Sequence, residues 1–88
     1  MAIWGLDVEQ VRTLSKQLHN KSQQVQEILT TLTSALESVD WKGPDADKFR
    51  SDWKGTHTAA LKNVIHALDD ASQKATQNAN AQEQTSNS

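Results

Sequence analysis

The chain has no cysteine, so disulfide staples and thiolate metal sites are excluded. Tyrosine is also absent, and one proline and three glycines confine backbone interruptions to a few places. Neither sign of charge dominates. Four Lys/Arg against five Asp/Glu precede Pro44, and five against six follow it. With no basic patch in either half, nucleic acid is not an expected partner. No apolar run approaches the ~20 residues that a membrane span needs. The polar faces are neither basic nor Trp-rich enough for a helix lying on a membrane surface. Met1-Ala2-Ile3-Trp4-Gly5 lacks the basic region and apolar core of a secretory signal. Any export is therefore expected to follow a signal-peptide-independent route.

What is present is helical periodicity on both sides of one firm break. Trp41-Lys42-Gly43-Pro44-Asp45 lies near the midpoint of the 88 residues. Pro44 lacks a backbone donor and has a fixed φ, which suits the first position of a helix. Gly43 can adopt the left-handed conformation that closes a preceding helix. The expected fold is all-α: an antiparallel helical hairpin over residues 1–80, with a first helix over 8–40, a turn at 41–43 and a second helix over 44–79.

Asp7-Val8-Glu9-Gln10 is a capping-box pattern, and Leu6 and Val11 are placed for a hydrophobic staple. Apolar residues then recur every seven positions, as Val11, Leu18, Val25, Leu32 and Val39. A second row holds Leu14, Lys21, Ile28 and Ala35, with Leu29 and Leu36 widening the stripe. This is a coiled-coil-like seam. Lys21 interrupts it, either as a long stem crossing the seam edge with its ammonium in water or as a charge that selects a partner.

In the second helix the apolar positions are Ala46, Phe49, Trp53, His57, Ala60, Val64, Leu68, Ala71, Ala75 and Ala79. They repeat every eleven residues, near the straight 3.6 period. Gly55 sits inside this helix, tolerated on the surface or relieving crowding beside Trp53. Residues 81–88 are polar, with nothing apolar larger than alanine, and read as a disordered tail. A lone two-helix hairpin covers each apolar stripe only along one line. It therefore calls for a second apolar surface, as in a four-helix bundle.

Catalytic chemistry is not indicated. His57 and His66 are nine residues apart, not the i, i+4 pair of a helical zinc site. His57 reads as a partly buried core residue, and His66 and Asp70 as a surface pair. There is no cysteine nucleophile, glycine-rich phosphate loop or Gly-x-Ser-x-Gly elbow. A hairpin offers no concave pocket. Neither an enzyme activity, a cofactor nor a small-molecule substrate is expected.

Two helices joined by Trp41-Lys42-Gly43, followed by Ala46, Phe49 and Trp53, resemble the WXG-100 (ESAT-6-like) family. Trp4-Gly5-Leu6-Asp7 resembles the N-terminal entry of actinobacterial members, and the likeness spans about residues 3–79. The resemblance implies a non-catalytic, virulence- or effector-associated protein. It would be exported folded by a type VII (ESX-type) secretion system with an FtsK-like ATPase, cytoplasmic first and extracellular afterwards. It implies pairing as a homodimer or with a related WXG protein. The residues expected in hairpin or dimer packing are Val11, Leu14, Leu18, Val25, Ile28, Leu32, Leu36, Phe49, Trp53, Val64 and Leu68. The turn is carried by Trp41, Gly43 and Pro44.

The family's export element is Tyr-x-x-x-Asp/Glu after the second helix. Here the nearest spacing is His66 to Asp70, a degenerate form. The alternative implied is a cytoplasmic adaptor or chaperone for a larger co-exported toxin-like protein.

Overall fold

The computed structural model describes residues 7–87, with side chains through residue 84. The first helix, α1, is Val8–Ser38. Asp7 caps it, its side chain accepting the Gln10 N–H at 3.1 Å while its carbonyl accepts that of Val11. The staple residue Leu6 and the Trp4-Gly5-Leu6 entry lie outside the described residues.

α1 stops at Ser38, two residues short of the expected end, and Val39 is extended (φ −73°, ψ 136°). The last turn has no basic residue of its own. Its free carbonyls, and those of the turn, are met instead from across the tip by Arg50. This guanidinium donates to Trp41 O at 2.7 Å, Val39 O at 3.2 Å and, at 3.4 Å, Leu36 O.

Gly43 plays a different part from the one expected. It does not close α1 in the left-handed helical region. It is the N-cap of α2 (Pro44–Asp52), at φ 120° and ψ 173°, a region open in practice only to glycine. Its carbonyl accepts the Asp47 N–H at 3.0 Å. Pro44 opens α2 and Asp45 and Asp47 occupy its first turn, where the helix dipole favours negative charge.

A single π-helical turn, Trp53–His57, links α2 to α3, Thr58–Asn87. The backbone stays helical at Asp52, Trp53 and Thr58, so the arm is continuous. At about 100° per α-helical residue, Thr58 would stand about 120° round from Ala46. The π turn winds less per residue and closes most of that gap, so that buried Ala46 and half-buried Thr58 both face α1. Gly55 lies in this turn. A Cβ there would meet open space, so the glycine does not relieve crowding at Trp53.

α3 continues to Asn87, past the end expected near Ala79. Nothing after Gly55 breaks a helix, and the extension is tied back to α1. Arg12 donates to Asn80 Oδ1 at 2.8 Å and forms an ion pair with Glu83. Residues 81–87 are therefore helical, in place of the disordered tail expected from their composition.

The two arms form one layer measuring 65 × 17 × 15 Å. Its radius of gyration is 19.6 Å, against about 12 Å for a compact chain of this length. The line of α1 that meets the second arm is Ser15, Ser22 and Leu29, all buried, flanked by half-buried Val11, Leu18, Val25 and Leu36. Two serines thus occupy the closest approach. Ser15 Oγ donates to Ser72 O at 2.8 Å, and Ser72 Oγ donates to Ser15 O at 2.8 Å. Thr76 Oγ1 lies 2.5 Å from Ser15 Oγ. Ser22 Oγ points to Ile65 O at 3.4 Å. The closest approach is thus made by small residues and hydroxyls, with Leu29 at one turn and the half-buried apolar residues alongside.

Candidate functional site

The polar seam leaves apolar side chains only half covered within the chain. Leu14, Ile28, Leu32, Val39, Phe49 and Val64 are each between 45% and 52% exposed. Their positions follow from the seam. Leu14, Lys21 and Ile28 each precede a buried residue of α1 by one position (Ser15, Ser22, Leu29), which sets them about 100° round the helix. On the other arm His57, Ala60 and Val64 precede the half-buried Thr58, Leu61 and Ile65 in the same way. Because the arms are antiparallel, the same offset turns both stripes to one side of the layer. Leu14 and Leu18 accordingly share a groove with Leu68, together with Gln17, Lys21 and Gln24. Nearer the tip, Phe49, Trp53, His57, Ala60 and Leu61 line a second groove.

The opposite side of the layer differs. Its groove is lined by Thr30, Thr33, Ser34, Glu37, Lys54, Thr58 and Lys62 above Leu29. One face is therefore apolar and the other polar.

The aromatic residues sit at the tip end. Trp41 packs on Phe49 with ring centroids 5.4 Å apart and planes tilted by 57°. Trp53 is half-buried and donates from its indole to Thr33 Oγ1 at 2.9 Å. Trp41 is 39% exposed, so it covers the turn without being enclosed by it. His57, read from sequence as partly buried, is exposed, its ring 6.2 Å from that of Trp53.

Lys21 lines the groove that Leu14 and Leu18 share with Leu68 of the second arm. It stands exposed in the middle of the α1 stripe and donates to Gln24 Oε1 at 3.2 Å. His66 and Asp70 are both exposed within α3, well before its end. They do not form the expected pair, because Asp70 bonds Lys74 at 2.9 Å. A contact not anticipated joins the arms at the level of Asp69, whose Oδ1, buried and without a hydrogen-bond partner, lies 3.5 Å from His19 Nδ1.

Sequence reasoning also missed Arg50, Arg12 and the Ser15–Ser72–Thr76 clasp. A signal for Arg50 existed: a base two turns after the tip, opposite a helix end with no base of its own. The clasp gave none, since Ser and Thr also fill solvated faces.

These features define a class, an all-helical two-arm hairpin whose distinctive surface is a long apolar face. Among the described residues no His/Cys/Asp/Glu group could hold a metal ion, and no helix is long and apolar enough to cross a membrane. The sequence matches the WXG100 family (proteins of 100 residues with WXG) over residues 6–87, and the chain belongs to that family. WXG100 proteins are small, helical, ESAT-6-like secreted proteins, not known enzymes, and they typically pair with other WXG proteins. Comparison with curated proteins and with solved structures gives no match.

Proposed function

We propose that this protein is a non-catalytic export substrate that works as one half of a helical bundle. Its apolar face is covered by a second WXG hairpin, another copy or a related chain, before the pair leaves the cytoplasm. The observation that carries the reading is the apolar face itself, half-exposed along both arms while serines fill the hairpin's own seam. Its scale is sufficient. The chain exposes 6695 Å², whereas a compact monomer of this mass would expose about 5,100 Å². The excess, about 1,600 Å², is about twice the ~800 Å² that each partner gives up in a standard protein–protein interface.

Family membership supports the rest: passage through a type VII secretion system driven by an FtsK-like ATPase, with no cleaved signal peptide. In this reading His66 and Asp70 stand in for the tyrosine-based export element, presented on the outside of α3. The absence of tyrosine favours one second reading, an adaptor for a larger co-exported toxin-like partner that carries the signal for both. The culture medium separates the two. Export of this chain expressed without any larger partner, and its loss when the ATPase is inactivated, supports a signal in cis. Retention in the cell until a larger partner is supplied supports the adaptor. Retention under every condition refutes export.

A further inference from the structure

The apolar face carries a charge pattern that bears on which hairpin can cover it. Lys21 interrupts the α1 stripe near the midpoint of Val8–Ser38, in one groove with Leu14, Leu18 and Leu68. On the second arm, the stripe from Phe49 to Val64 is interrupted by His57. No carboxylate stands in either stripe. Glu27 borders the α1 stripe, lining a groove with Ile28 and Leu32, but it stands about 100° round from Ile28, on the side away from the second arm.

Two copies stacked face to face with their tips opposed would bring α1 antiparallel onto α1 about a two-fold axis. The apolar rows interlock when Leu14 meets Leu32 of the second copy and Leu18 meets Ile28. In that register Lys21 lands on Val25 of the second copy. The two Lys21 positions then lie about 6 Å apart along the bundle, on either side of the axis. Both ammoniums would lose water at the centre of the interface without gaining a carboxylate, and like charges across an interface select against that pairing.

Resting on the bundle reading above, we infer that Lys21 makes this face select a non-identical hairpin, one presenting an Asp or Glu at the midpoint of its own apolar stripe. Lys21 then plays the part of a polar residue at a core position of a coiled coil, trading stability for partner choice.

The chain itself supplies the probe. Wild type, Lys21→Met and Lys21→Glu are compared by sedimentation and native mass spectrometry, and a mass-labelled wild type is mixed with Lys21→Glu. Circular dichroism checks that each remains helical. The expected result is that Lys21→Met self-associates about tenfold or more tightly than wild type. In the mixture, wild type paired with Lys21→Glu should exceed its statistical proportion. Wild type that dimerises as tightly as Lys21→Met and mixes statistically with Lys21→Glu overturns the inference. If Ile28→Glu abolishes that same dimer, the bundle reading survives it. If no variant or mixture associates while all stay helical, the bundle reading fails and the inference falls with it.

Discussion

Arg50 offers the sharpest test of how the tip is built. Its guanidinium faces the C-terminal end of α1, where unpaired carbonyls carry the negative end of the helix dipole. It makes one good bond, 2.7 Å to Trp41 O, a second at 3.2 Å to Val39 O, and a marginal third at 3.4 Å to Leu36 O. A charged hydrogen bond contributes about 1.5–3 kcal/mol when dry. Arg50 is only half-buried and its bonds to Trp41 and Val39 lie in exposed surroundings, so solvent screening reduces each substantially. About 2 kcal/mol for the clamp as a whole is a reasonable expectation.

Arg50→Met keeps most of the stem's packing and removes the fork. At about 4–8 °C per kcal/mol for a domain of this size, the melting temperature should fall by roughly 8–16 °C. Melts followed by circular dichroism at matched protein concentration exclude a shift from altered association. Arg50→Lys should recover less than half of the loss, because an ammonium cannot reach two carbonyls in a fixed plane. A melting temperature within about 2 °C of wild type for Arg50→Met would mean that water satisfies these carbonyls equally well. Full rescue by lysine would mean that charge, not the fork, matters.

Three other changes probe separate parts of the molecule. Asp7→Ala removes the side-chain cap on Gln10 N–H and should cost about 1 kcal/mol in thermal or urea melts, with Asp7→Asn restoring most of it. Trp53→Phe keeps a ring but loses the 2.9 Å bond to Thr33, which should cost about 1 kcal/mol; Thr33→Val, made in the Trp53→Phe background, should then add little further. Ser22→Leu forces a large side chain into a fully buried site at the arm crossing and should cost about 1–3 kcal/mol; a stabilised variant would show that the arms can separate without loss.

The sequence was legible where one residue type settles local geometry. Asp7, Pro44 and the acids of the α2 first turn stand where capping and dipole arguments put them. It was less legible where two faces compete for one set of apolar residues. The heptad rows from Val11 to Val39 look like a single seam, but the hairpin draws on the neighbouring row, Ser15, Ser22 and Leu29. Val11, Leu18, Val25 and Leu36 border it, while Leu14, Ile28 and Leu32 point away. Hydrophobic periodicity finds the larger apolar stripe and cannot report that small hydroxylic residues permit the closer approach. The π turn was hidden for a similar reason: Gly55 signals weak helix preference, not the extra residue that the turn absorbs. Trp41, with 39% of its surface exposed, should lose less on truncation than the ~3–5 kcal/mol of an enclosed aromatic.

The division of labour between these two faces has a thermodynamic consequence. Hydroxyl–carbonyl bonds such as those joining Ser15 and Ser72 contribute only about 1 kcal/mol each in net terms, and buried Ala46 and Ala79 add little apolar area. They fix register well, because a slip of one residue would strand buried hydroxyls, but they hold the arms together weakly. The larger store of burial energy lies on the outward face, where six leucine-sized or larger side chains and valines remain about half exposed. At roughly 25 cal/mol per Å², covering even 800 Å² of mainly apolar surface on this hairpin would contribute on the order of 10–20 kcal/mol before association costs. Register is thus set within the chain, while most of the available stabilisation waits on whatever covers the face. The stability of the isolated hairpin should accordingly rise with a partner that covers this face, and change very little with substitutions on the polar groove lined by Lys54 and Lys62.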